Sequence, residues 1–341
     1  MSIKPKHILV IRLSAMGDIA MTVPVLRAFS RQHPDTRITV LTRELFAPFF
    51  RGIPNVEVHN AEVKGKHKGI SGLYQLSKEL KELNIDSIAD LHNVLRTNIL
   101  KVFLRGLPFV QIDKGRTEKK ALTSGKAFRQ LKSTHQRYAD VFEALGYKID
   151  LLNPVFPEKS ELADEIQTKL GVKTQKWVGI APFAQYESKM YPLVKMKEVI
   201  NTLNSYKDIK ILLFGGGEFE VSQLDDIQSN YENVINVAGK FTLDQELDII
   251  SNLDLMLSMD SSNAHIAAML GIKVITLWGV THPYAGFYPF DQNDEWAILA
   301  NKDEFPKIPT SVYGNKYPKD YGGLMGSISS VEVVKKIKSL L

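Results

Sequence analysis

The stretch HILVIRLSAMGDIAMTVPVLRAF, residues 7–29, sets the architecture. HILVI, four apolar residues after His7, reads as a buried strand, because a strand covered on both faces shows a continuous apolar run rather than alternation. The run breaks at Arg12, Ser14 and Gly17, and Asp18 follows at once. An apolar pattern with helical spacing then runs through Phe29. A strand that turns straight into a helix is the first half of a βαβ unit. Asp18 has an ordinary explanation as a helix cap or first-turn acid. Its place at the carboxyl end of the first strand also puts it where such sheets bind ligands.

The pattern repeats outward from this stretch. Further strands are expected at RITVLT (37–42), VEVHNA (56–61), DSIADL (86–91) and PFVQID (108–113), with helices at about 18–32, 71–83, 94–105 and 134–145. IDLLNPVFPEK (149–159) carries two prolines and no clear period, which marks a linker. The alternation restarts with WVGIAPF (177–183), KILLFGGG (210–217), NVINVAG (233–239), LDLMLSMD (253–260) and KVITLWG (273–279). Helices are expected at 160–169, 193–205, 218–229, 243–251, 261–270 and 330–340. The expected fold is α/β: two Rossmann-like, doubly wound parallel-sheet domains, 1–152 and 160–341, facing across a cleft. The C-terminal helix is expected to return onto the first domain.

The 341 residues suffice for two such cores. With no cysteine, disulfides, thiolate zinc sites and a cysteine nucleophile are excluded. No signal sequence and no membrane span are expected, and the reading is a cytoplasmic protein. Charge is unevenly spread. Residues 1–150 hold 25 Lys and Arg against 14 Asp and Glu, a net of +11, whereas the remainder holds 18 against 24, a net of −6. A basic half implies an anionic partner (a membrane surface, a phosphorylated acceptor or nucleic acid) or simply a solvated lysine-rich face. No nucleic-acid-binding signature accompanies it.

Polar residues gather at strand ends of the second half. MDSSNAH places Asp260, Ser261, Ser262 and Asn263 where one helix cap would suffice, with His265 in the first turn. A helix start of this kind suits a phosphate. The three glycines of LLFGGGEFE precede Glu218 and Glu220 and match neither the dinucleotide nor the P-loop pattern. Lys189 lies between a strand and a helix, where it serves a pyrophosphate or merely the surface. THPYAGFYP (281–289) reads as the wall of a cleft.

Together, RLSAMGDIAMTVPVL, ESKMYP, LLFGGGEFE, HQRYADVFEALGY and the long stretch from AGKF to WGVT resemble the ADP-heptose:lipopolysaccharide heptosyltransferase family, inverting enzymes of GT-B architecture. The resemblance covers nearly the whole chain. It implies transfer of a heptose or related sugar from an ADP-sugar to an anionic lipopolysaccharide-core acceptor. It makes Asp18 the base for the acceptor hydroxyl and Lys189 the contact to the donor phosphates. Glu220, or Glu218 beside it, falls to the ribose, Phe241 to the adenine and Asp260 to the sugar. Ser261, Ser262, Asn263 and His265 form the group around the diphosphate.

Arg12, Ser14, Gly17, Lys64, Lys68, Arg96 and Arg116 are the implied acceptor contacts. A further basic set, Lys114, Arg116, Lys119, Lys120, Lys126 and Arg129, reads as one long polar loop that grips anionic lipid at the inner face of the cytoplasmic membrane. The implied chemistry uses no metal and no cofactor, since the ADP-sugar is a substrate, and no nucleic acid. Departures are Ser262 where the family has glycine, Ala184 and Gln185 before Lys189, and His92 and Asn93 in DLHNVLRTN. Another nucleotide sugar, an epimerase, or a non-catalytic nucleotide-sugar-binding protein stays open.

Overall fold

The computed structural model describes residues 5–341. These divide into two compact units, residues 5–114 with 132–155, and residues 115–131 with 156–341. The first contains β1 (His7–Ile11), α1 (Met16–Ala20), α2 (Thr22–Gln32), β2 (Arg37–Thr42), β3 (Val56–Asn60), α3 (Gly69–Glu82), β4 (Ser87–Asp90), α4 (Leu95–Phe103) and β5 (Phe109–Gln111). Next in the chain come α5 (Arg116–Thr123), which packs in the second unit, and α6 (Thr134–Ala144), which packs in the first. The sheet order is β3-β2-β1-β4-β5, all parallel. All five residues of β1 are buried, as the central strand of a sheet covered on both faces requires.

The second unit continues with α7 (Asp164–Leu170), β6 (Lys176–Ala181), α8 (Leu193–Asn204), β7 (Ile209–Leu213), α9 (Glu218–Gln228) and β8 (Val234–Asn236). It closes with α10 (Leu243–Ser251), β9 (Leu255–Met259), α11 (Ser262–Met269), β10 (Val274–Trp278), β11 (Ala297–Leu299) and α12 (Ser330–Leu340). Its order is β11-β10-β9-β6-β7-β8, again parallel. One core joins Val178, Ile180, Ile211 and Leu257 of the strands to Met196, Ile200, Val333 and Ile337 of the helices.

In both sheets the chain goes one way from a central strand and then returns to its other side. The order reverses between β1 and β4 in the first unit and between β6 and β9 in the second. Crevices at the carboxyl ends of such strands are the ligand sites of doubly wound sheets. Those ends carry Arg12–Asp18 and Asp90–Asn93 in one unit, and Ala181–Lys189 and Asp260–His265 in the other.

Four expectations change. The helix expected at 18–32 begins at Met16 and is two helices, which meet at Met21. The basic segment expected as a long loop holds α5, and Lys119 is buried with its Nζ 3.9 Å from the centroid of Phe287. A lysine can bury its aliphatic stem and carry its charge to an aromatic face. That segment packs in the second unit, although the expected boundaries put it in the first. The C-terminal helix α12, expected to return onto the first domain, packs on α8 and β9 of the second unit.

Candidate functional site

In the first unit, the chain leaves β1 at Arg12 and passes through a cis Ser14–Ala15 peptide into α1. Asp18 is the third residue of that helix, and its Oδ2 accepts from the Ala15 N–H at 3.3 Å. This ties down a helix-start donor and sets an anion at the positive end of the helix. The same carboxylate pairs with Arg12. The Arg12 side chain is 7% exposed and that of Asp18 is 31%. Arg12 is anchored on its far side, donating from Nη1 to the Leu91 carbonyl at 2.6 Å, and it lies 6.0 Å from the Tyr138 ring centroid. Tyr138 is fully buried and donates to the Asp18 carbonyl oxygen at 3.3 Å; burial raises its hydroxyl pKa.

His92 completes this group. Its Nδ1 accepts from the Leu13 N–H at 3.4 Å, so in the neutral ring Nε2 carries the proton and donates to Ser14 Oγ at 3.3 Å. Burial pushes the His92 pKa down to about 3, helped by the positive charges of Arg12, Lys114 and Arg96. The turn itself is held by the buried Asp90, which accepts from the backbone N–H groups of His92 and Asn93 at 2.9 Å each. His92 and Asn93, departures from the family pattern, are therefore parts of a built turn.

The remaining implied acceptor residues are more dispersed. Gly17 lies in α1, where its carbonyl accepts from Met21. Arg96 lies in the first turn of α4. Lys64 and Lys68 are exposed in the turn before α3, whereas their neighbour Lys66 pairs with Glu62 and Glu79, each at 3.5 Å. Arg116 is exposed at the start of α5, in the second unit.

The second group surrounds an ion pair. Lys189 Nζ lies 2.9 Å from Asp260 Oδ2, with the two side chains 12% and 10% exposed. Thr281 donates to the same oxygen at 2.9 Å. Two glycines permit this packing. A Cβ on Gly279, just after β10, would overlap the Ser188 carbonyl oxygen. A Cβ on Gly314 would lie 2.5 Å from Lys189 Cδ, and Gly314 takes φ +89°. Ser188 Oγ donates to the Gly314 carbonyl at 2.6 Å and fastens the turn.

Beside this pair, α11 begins with Ser261 in the N-cap position. Of the four cap-type residues, none caps by the expected side-chain bond: Ser261 Oγ bonds Ser258 Oγ at 3.0 Å instead. Ser262 and Asn263 are half-buried in the first turn, and His265 is buried behind them. The first N–H groups of a helix have no partner within it, so this end can receive an anion. At the glycine turn before α9, Glu220 Oε2 accepts from the Gly216 N–H at 2.8 Å, while Glu218 points its residue to solvent. Phe241 is half-buried, with Lys169 Nζ 4.9 Å from its ring centroid.

Sequence reasoning missed Thr281, Ser188, Gly279 and Gly314. The available signals were a threonine opening the loop read as a cleft wall and a glycine directly after an apolar strand, which marks a close backbone approach. Among the described residues, no group of three or more His, Asp or Glu side chains is placed to hold a metal ion. No helix among them is long and apolar enough to cross a membrane.

The model of glycosyltransferase family 9 (heptosyltransferase) matches residues 73–312, well over half of the chain. A lipopolysaccharide core heptosyltransferase, OpsX of Haemophilus influenzae, is 26% identical over 286 residues, covering 82% of this chain and 80% of its own. Among solved structures, a glycosyl transferase family 9 protein of Veillonella parvula superposes with a TM-score of 0.77 at 20% identity, covering 100% of this chain and 98% of its own. The E. coli heptosyltransferase WaaC with ADP gives 0.68 at 18%, covering 98% and 100%. The parallel α/β sheets in two units are those of the GT-B heptosyltransferases. This chain belongs to glycosyltransferase family 9, the heptosyltransferases.

Proposed function

We propose that the protein transfers a heptose from ADP-heptose to an anionic lipopolysaccharide-core acceptor, with inversion and without a metal ion. The observation that carries this is Asp18, a part-exposed carboxylate at the sheet's reversal point, held by a buried arginine. Family membership and the heptosyltransferase relatives supply the sugar and the acceptor class.

In this reaction the acceptor hydroxyl oxygen bonds to the anomeric carbon as the carbon–diphosphate bond breaks on the opposite side. Asp18 takes the hydroxyl proton, and ADP leaves with the bonding electrons. Arg12 sets the carboxylate's orientation. Ser14, held by neutral His92, offers its hydroxyl to the acceptor, and Arg96, Lys64, Lys68 and Arg116 attract its acidic groups. In the second unit, Lys189 and the start of α11, with Ser261, Ser262, Asn263 and His265, stabilise the charge that develops on the diphosphate. Preorganised cations and helix N–H groups do this in the place of a divalent ion. Asp260 orients Lys189 and meets the sugar, Glu220 serves the ribose and Phe241 the base. Working on a lipid-linked acceptor, the protein lies against the anionic inner face of the cytoplasmic membrane, where each nearby lysine or arginine adds about 1 kcal/mol of attraction.

The test is product analysis with ADP-heptose and a lipid-linked inner-core acceptor. Expected are free ADP, an acceptor heavier by one heptose with inverted linkage, and the same rate in a chelator. An isomerised sugar nucleotide without ADP release would mark an epimerase instead. Tight ADP binding without turnover would mark a binding protein.

A further inference from the structure

The second unit holds a cavity of about 700 Å³ that none of the residues above lines. Its walls are the segment 122–128, from the end of α5 onward, and the loop 302–318. Lys302, Lys307 and Lys316 all line it, and all three are exposed. Like charges gathered on one concave surface repel, and an anion relieves that repulsion.

The floor is aromatic and fixed. Phe128 is 47% exposed, yet its ring sits 5.2 Å from His282, 5.1 Å from Tyr284 and 3.6 Å from Lys302 Nζ. Tyr317 adds a second ring to the lining. Burial, followed by the Lys302 charge, brings the His282 pKa down to about 4, so the positive field reaches beyond the cavity wall. Thr310 also lines the cavity.

We propose that this cavity binds an acidic sugar, carrying a phosphate or a carboxylate. Lysines recognise either group as point charges. The apolar face of the sugar ring packs on Phe128. The proposal rests on the transferase reading only in naming the molecule, an acidic sugar of the acceptor distant from the reacting hydroxyl.

The test is direct binding to the full chain, with ADP saturating the donor site so that it cannot contribute. Glucuronate, glucose 6-phosphate, glucose and inorganic phosphate are titrated in turn. At least one acidic sugar is expected to bind at least tenfold more tightly than glucose, and which one does so separates the carboxylate source from the phosphate source. Lys302→Ala with Lys316→Ala should weaken that binding at least tenfold, and Lys302→Arg should keep it. Phe128→Leu should weaken the sugar while leaving inorganic phosphate unchanged.

Equal binding of glucose, no binding of either acidic sugar, or unchanged affinity in a double variant with wild-type thermal midpoint overturns the proposal. Acidic-sugar binding that survives in a protein without heptosyl transfer leaves the pocket standing and removes the transferase reading instead.

Discussion

Each unit ends a central strand in a cation–carboxylate pair, but the two pairs are built with opposite exposures. In the first, the cation is buried and the carboxylate part exposed, 7% for Arg12 against 31% for Asp18. In the second both are sequestered, 12% for Lys189 and 10% for Asp260. Arg12 has a second anchor in the Leu91 carbonyl, so Asp18 can give up one interaction while the guanidinium stays put. Asp260 is held by both Lys189 and Thr281 and has little freedom to exchange partners. The difference suits the division of work proposed above, in which the carboxylate open to solvent takes the proton and the enclosed one orients its lysine. An ammonium has three N–H donors, so Lys189 can hold Asp260 and still reach a phosphate.

The sharpest way to break this comparison is to remove the charge from each carboxylate. Asp18→Asn should lower turnover by ~10²–10⁴, the usual worth of a positioned base. Asparagine keeps an oxygen for Arg12 and Ala15, so ADP affinity and the thermal midpoint should change little. Asp260→Asn should act mainly on donor KM. If the two variants shift kcat and KM in the same proportion, the division of labour is wrong.

A smaller effect is expected from Lys189→Met, which loses a charge-assisted contact worth roughly 1.5–3 kcal/mol. ADP affinity measured by calorimetry should fall roughly 10–100-fold. Combined with Asp260→Asn, the losses should be less than additive, because each single change already breaks the shared pair. Strict additivity would mean that the pair does not act as a unit in donor binding.

Proton uptake would damage both units, and here the expected effect is on stability. His92 in the first and His282 in the second titrate at about 3 and about 4, below the ordinary value of 6.5 because burial disfavours the charged ring. The unfolded chain therefore binds more protons between those values and pH 6.5. Stability should be full above pH 6.5 and fall as pH drops through that window. From pH 7 to pH 5 each histidine should cost roughly 1–2 kcal/mol, read from urea unfolding midpoints. His92→Gln should flatten this slope at the price of its bonds to Leu13 and Ser14. An unchanged slope would place the pH sensitivity elsewhere.

What the sequence disclosed follows from the range of the forces involved. Long apolar runs such as HILVI and KVITLW announce central strands because burial on both faces demands them. The three residues AIL of β11 sit at a sheet edge and are too short to stand out. The segment around α5 read as a loop because its lysines look solvated, and nothing local reveals that Phe287 covers Lys119. The same contrast runs through the two ion pairs. Arg12 and Asp18 lie six residues apart on one strand–turn–helix, so their proximity was legible. Lys189 and Asp260 meet only because β9 pairs with β6, which no local pattern states. That Glu220 turns back onto the glycine loop while Glu218 is exposed is likewise visible only in three dimensions.

The smallest expected effect comes from the backbone that supports the second pair. Gly314 takes φ +89°, which L residues avoid, and its missing side chain leaves room for Lys189. Gly314→Ala should cost about 1–2 kcal/mol of stability from the backbone alone. It should also press on Lys189 Cδ at 2.5 Å and move the ammonium from Asp260. Gly106 separates these causes, since it takes φ +101° with nothing within 4 Å of the added carbon. Gly106→Ala should lower the thermal midpoint to a similar extent and leave donor KM alone. Gly314→Ala should lower the midpoint and raise donor KM a few-fold. If both alanine variants leave KM unchanged, Lys189 tolerates displacement, and the enclosure of the second pair is a matter of packing rather than of donor recognition.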